Sequence, residues 1–162
     1  MRPIDDARIR ASFINASQSE RKQLAVPDLD AIEWEQRDFL GWRDPKFVAV
    51  GYVVLELDGA ITGLLMRQFA RAPQSRAQCS WCSDVELPNE VVLFNTKRTG
   101  DAGRRGDTVG TLVCANFECH VNARKRPRTA YLGFDVEAAR RRRIEMTREN
   151  VERFARGIRD GL

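Results

Sequence analysis

The chain has 162 residues, of which 43% are apolar and 31% charged, with a formal net charge of +4. This is the composition of a soluble globular protein, long enough to bury a core without disulfide staples. It excludes a membrane-spanning class: no apolar run approaches the roughly 20 residues a membrane helix needs, and the N-terminal stretch MRPIDDARIRASFINASQSERKQ has neither the apolar core nor the cleavage pattern of a signal peptide. The expectation is a cytoplasmic protein in a reducing compartment, where structural disulfides are rare.

Along the chain, Pro3 suits a first helical turn, and Ile4, Ala7, Ile9, Phe13 and Ile14 follow helical spacing over residues 4–15. Asp5 and Asp6 read as helix N-terminal charge. Ser17 or Ser19 can cap a second short helix that Pro27 stops. Residues 28–46 read as irregular, with Ile32, Trp34, Phe39, Leu40 and Trp42 as packing anchors. Two β-rich runs then flank Asp58-Gly59, a strong hairpin signal. Residues 90–98 and 108–114 predict a second hairpin with a mobile Gly- and Arg-rich tip at 99–107. In the last segment Val136, Ile144, Val151, Phe154, Ala155 and Ile158 recur at helical spacing. The expected fold class is α+β: antiparallel β-hairpins with terminal helices around a treble-clef four-cysteine zinc finger. An N-terminal helical segment, 1–46, packs on the sheet; residues 47–162 hold the hairpins, the finger and the C-terminal helix, all within one structural domain.

The chemistry concentrates in four cysteines. Cys79 and Cys82 are separated by two residues, Cys114 follows after 31 more, and Cys119 after a further four. A Cys-x2-Cys turn points both thiolates to one side of a tight loop, and two such claws enclose Zn²⁺ in a closed tetrahedral site. A thioredoxin-like redox pair, structural disulfides and an iron–sulfur cluster are the alternatives. The first lacks its βαβ context and leaves the second pair idle, the second is disfavoured by compartment, and the third also takes four thiolates. His120, the single histidine, reads as solvated or as a neighbour of the ligands and not as one of them. A closed zinc site has no open position for water, so the metal is expected to fold the chain, not to catalyse. No other catalytic constellation is visible, and the expectation is a non-enzyme without a small-molecule substrate.

Charge is uneven. Residues 1–96 carry 11 basic and 14 acidic side chains, whereas residues 97–143 carry 12 and 5. A basic stretch of this kind suits an acidic protein or a nucleic acid.

In their order, FLGWRDP (39–45), LELDG (55–59), CSWC (79–82) and GRRGDTVGT (103–111) running into LVCANFEC (112–119) resemble the C-terminal treble-clef zinc-finger domain of the elongation factor G-binding protein family, which includes the fusidic-acid-resistance proteins. The similarity runs from about residue 2 to near the C-terminus. The chain resembles that domain on its own, without the helical N-terminal half of the resistance proteins. The resemblance implies structural zinc and a non-enzymatic protein that binds elongation factor G on the ribosome and promotes its release from a fusidic-acid-locked state. It also implies partner contacts at Trp81, Phe117, Arg124, Lys125, Arg126, Arg128, Tyr131 and Phe134. The alternative reading is a zinc-ribbon module that binds RNA or the ribosome through the 97–143 patch.

Overall fold

Asp58-Gly59 turns the chain back on itself with both residues at positive φ, 51° and 81°, which is the conformation a two-residue hairpin loop demands. It joins β2 (Val50–Leu57) to β3 (Ala60–Gln68) in antiparallel register, Leu57 opposite Ala60. The computed structural model describes residues 1–69, 77–84, 90–127 and 131–161. Around this hairpin stand β1 (Leu40–Arg43), β4 (Val91–Lys97) and β5 (Thr108–Cys114), giving an antiparallel five-stranded sheet in the order β1-β2-β3-β4-β5. The fold is α+β.

β1 corrects the reading of residues 28–46 as irregular. Leu40 pairs with Val54 and Arg43 with Gly51. A four-residue strand has little signal of its own, and it forms because β2 offers an edge to pair with.

Side-chain alternation gives the sheet two buried faces. On one face α1 (Asp6–Ser12) and α2 (Gln18–Gln23) pack Ile4, Ile9, Phe13 and Leu24 against Leu40, Trp42, Tyr52, Val54 and Leu65. Asp5 caps α1 by accepting from the Arg8 amide at 2.8 Å, and Ser17 with Glu20 closes a full capping box on α2. Gly63 admits this layer closely: a Cβ there would lie 2.6 Å from Ser12 Oγ and 2.9 Å from the Phe13 ring. The Asn15 carboxamide then donates to Leu65 O and accepts from Leu65 N, both at 2.9 Å, completing the edge of β3 where β4 diverges from it.

The other face carries Val53, Leu55, Leu57, Leu64, Met66, Val92, Phe94 and Val113. The cysteine loops and α5 (Val136–Arg159) cover it, with Val151, Ala155 and Ile158 buried. The Gly- and Arg-rich tip is not a bare loop. It folds as α3 (Gly100–Arg104), closed by Arg98 N–H to Asp107 O and Asp107 N–H to Ala102 O, each 3.0 Å.

Candidate metal centre

Cys79 and Cys82 lie in a turn after β3, Cys114 ends β5, and Cys119 opens α4 (Cys119–Arg124). A knuckle, the β4–β5 hairpin and a following helix thus bring the two pairs together in the treble-clef layout. All four side chains are buried, and their sulfurs lie within 4.8 Å of one another. Cys79 and Cys119 Sγ are 3.5 Å apart, Cys82 and Cys114 Sγ 3.6 Å. A tetrahedral Zn²⁺ with Zn–S bonds of about 2.3 Å requires sulfurs about 3.8 Å apart. The donor set therefore fits structural zinc, all ligands coming from this chain.

The surroundings suit thiolates. Cys79 Sγ accepts from the amides of Trp81 at 3.4 Å and Cys82 at 3.5 Å, and Cys114 Sγ accepts from Asn122 Nδ2 at 3.4 Å. Such contacts orient metal ligands and offset their charge. As bare thiols the four compete for protons. The neighbouring sulfurs, Cys114 first, hold Cys79 far below the ordinary thiol range, whereas Cys114 and then Cys79 push Cys82 and Cys119 well above it. A divalent cation removes that competition by favouring the thiolate at every position.

Phe117, between Cys114 and Cys119, has a φ of +61° and is fully buried. Its ring lies where two strands have no side chain. A Cβ at Gly41 would meet Phe117 Cβ at 2.6 Å, and one at Gly51 would meet Phe117 Cζ at 2.6 Å. Phe117 also stacks near Phe94, with ring centroids 5.0 Å apart. Trp81 packs edge-on against Phe39 at 5.6 Å and near Phe154 at 5.8 Å, while its carbonyl accepts from Asn150 Nδ2 at 3.0 Å. Trp81 and Phe117 are thus 2% and 0% exposed, which corrects their reading as partner contacts. Large aromatics inside the claws fill the space between zinc loops and sheet. The glycines in β1 and β2 were the available signal, since a glycine inside a strand often marks a close approach.

FLGWRDP joins the same scaffold. Phe39 and Leu40 face opposite cores. Arg43 donates to Ala115 O and Val48 O, each at 2.5 Å, and its guanidinium lies 4.8 Å from the Phe94 ring centre. This ties β1 to the segment between the second cysteine pair. Asp44 accepts from Tyr52 Oη and from the amides of Lys46 and Phe47, all at 2.8 Å. Burial raises the Asp44 pKa, but these donors outweigh it and the net shift is downward.

His120 is buried, not solvated, and lies outside the four-sulfur set. Its ring meets Phe39 edge-on at 6.1 Å. Burial, and then the Arg37 charge, lower its pKa to about 4.

The remaining anticipated contacts divide. Arg124 is largely buried in an ion pair with Asp38, Nη1 to Oδ2 2.7 Å, so it joins α4 to the start of β1. Lys125 lies 3.8 Å from Asp84 and keeps 44% of its side chain exposed. Arg126 is exposed. Arg128 lies outside the described residues. Tyr131 is 66% exposed and packs edge-on against half-buried Phe134, 5.4 Å between ring centres. Sequence reading missed the exposed apolar side chains nearby in the chain, Leu132 and, on the helices flanking the turn, Val121 and Met146. In the arginine run, Arg141 and Arg142 face solvent while Arg143 donates to Asn122 O at 3.0 Å. No helix among the described residues is long and apolar enough to cross a membrane.

A family model described as the FBP C-terminal treble-clef zinc-finger matches residues 8–158. Among solved structures, the chain is similar to one entitled "Structure of the fusidic acid resistance protein FusC", at 23% identity and a TM-score of 0.49. That match covers 65% of this chain and 50% of the other, so this chain spans about half the length of that protein. No curated protein matches.

Proposed function

We propose a function on the premise that this chain belongs to the FBP C-terminal treble-clef zinc-finger family. It is a non-enzymatic adaptor that binds translation elongation factor G on the ribosome, with zinc as a structural staple, in the manner of the fusidic-acid-resistance proteins. The sequence resemblance supplies the partner. The observation that carries the reading is the surface beside the finger. Lys125 and Arg126 follow α4, Tyr131 and Leu132 form an exposed turn, and Val121 and Met146 are exposed on α4 and α5. Aromatic, apolar and arginine side chains held on a rigid support are what interface centres are made of. Basic side chains around them steer an acidic partner.

The RNA- or ribosome-binding reading is favoured by Arg141 and Arg142, exposed on α5 with no carboxylate partner among the described residues. Salt separates the two. Calorimetric titration of the zinc-loaded chain against elongation factor G is expected to give a saturable one-to-one complex that survives moderate salt. Arg126→Glu and Leu132→Ala are expected to weaken it without lowering the melting temperature. No heat at low or moderate salt, together with steeply salt-dependent binding to generic RNA, sinks the adaptor reading and leaves the phosphate-binding one.

A further inference from the structure

The helices of the N-terminal layer stop at β3, so β4 and β5 carry no helix on that face. A cleft of about 530 Å³ opens there, on the side of the sheet turned away from the zinc centre. Its floor follows from strand register. Arg67 lies opposite Asn95, which lies opposite Gly110, and Lys97 lies opposite Thr108. Cross-strand partners share a face, and all of these except Gly110 line the cleft. Gly110 packs closely beside it: a Cβ there would stand 3.3 Å from both Asn95 Oδ1 and Leu93 Cδ1. Ile14 and Leu65 supply an apolar wall.

The rim is the Gly- and Arg-rich tip, and it is built to stay in place. Gly103 approaches the chain so closely that a Cβ would fall 1.8 Å from Arg98 O. Thr99 Oγ1 donates to Ile158 O at 3.1 Å and to Arg159 O at 2.7 Å, fastening the tip to the end of α5. The tip brings Arg104 to the rim, where it is ion-paired with Asp101 of the same tip. Among the described residues, the Lys97 ammonium has no carboxylate partner and the Asn95 carboxamide makes no hydrogen bond, while Arg67 shares its charge with Glu20 at 2.9 Å. An ammonium, a carboxamide, a hydroxyl and guanidinium groups therefore converge on one concavity with one carboxylate, Glu20, among its lining residues.

We propose that this cleft binds the diphosphate group of a small, nucleotide-sized ligand. A multi-oxygen anion uses donors of these different kinds at once, and a concave cationic site concentrates the potential that attracts it. The volume lies in the range of small-molecule sites, about 300–1,000 Å³. The apolar wall accommodates the uncharged body of the ligand. No aromatic ring among the described residues lines the cleft, so they offer no stacking platform of the kind typical of single-stranded RNA binding. The site is independent of the protein partner proposed above.

The test is titration of the zinc-loaded full chain with ADP, inorganic pyrophosphate, adenosine and a hexanucleotide RNA, followed by amide chemical shifts. ADP or pyrophosphate is expected to shift Asn95, Lys97, Thr108 and Gly110, with no saturable binding of adenosine. Pyrophosphate binding as well as ADP places recognition in the diphosphate alone; tighter ADP binding adds the apolar wall. Lys97→Gln is expected to weaken binding roughly tenfold, the loss of one charge-assisted contact. Asn95→Ala, which removes the carboxamide that lines the cleft, is expected to weaken it several-fold at unchanged melting temperature. The proposal is overturned if neither phosphate compound shifts these amides, if Lys97→Gln leaves the affinity unchanged, or if the RNA occupies the cleft and the small compounds do not.

Discussion

The two faces of the sheet are closed by different physics. The face under α1 and α2 is closed by aliphatic and aromatic burial with hydrogen bonds from Asn15 and Tyr52, and Asp5 and the Ser17–Glu20 box satisfy the helix ends. The opposite face is closed by Phe117, Trp81 and the apolar stripe of α5, and these are held at the correct height by four sulfurs. The knuckle at 77–84 and α4 are too short to hold themselves in place, as isolated helices below about 12 residues are marginal. Metal binding supplies the folding free energy that such segments lack.

The largest expected effect comes from removing the metal. Chelation or Cys79→Ser should unfold the knuckle, α4 and their packing against α5, since apparent zinc binding in small fingers is worth about 10–16 kcal/mol. Hydrogen exchange should show that loss first in the 77–84 and 114–124 segments, with the β2–β3 hairpin and α1 last. Uniform exchange, or an unchanged melting temperature without metal, breaks the distinction between the faces.

Next come paired truncations. Phe117→Ala and Phe13→Ala each remove a fully buried ring, at a cost of about 3–5 kcal/mol. Phe117→Ala should also weaken zinc retention in a competition assay, because its ring positions the Cys114–Cys119 turn. Phe13→Ala should leave zinc affinity at the wild-type value. Equal zinc affinities in the two variants would show that the ring and the metal act independently.

A smaller effect should depend on pH. Tyr52→Phe removes a hydroxyl donor to the buried Asp44 carboxylate and is expected to cost about 2 kcal/mol at neutral pH. The folded pKa of Asp44 is depressed, so this stabilisation is complete above the unfolded value of about 3.9 and is lost as pH falls through the folded one. Denaturation of the two proteins should therefore begin to converge as pH falls below about 3.9 and coincide below the folded pKa of Asp44. A difference that stays constant as pH falls through that range would assign the effect to packing.

The smallest expected effect is Ser17→Ala, which opens the capping box on α2 for about 1 kcal/mol. Chemical denaturation should register it with no change in zinc content.

Several features were legible from residues alone because their causes are local. The Asp58-Gly59 turn, the Ser17 cap, the Asp5 charge and the helical stripe ending at Ile158 each depend on neighbours a few positions away. The cysteine quartet was legible for a related reason: its spacing limits which sulfurs can meet one ion. Three features were not. β1 exists only against β2, α3 only where the Gly103 backbone meets Arg98, and Trp81 and Phe117 turned inward because the sheet offered them room.

The sequence by itself determined the metal ligands, the principal hairpin and the two ends of the chain as helices. Tertiary structure alone decided that the aromatics within the claws serve the core, that Arg124 pairs with Asp38, and that Asn95, Lys97 and Thr108 share one open cleft. The physical reason is range. A turn, a cap or a chelating spacing is an interaction between near neighbours, whereas the fate of a ring or a cation depends on which distant backbone leaves it space or a partner.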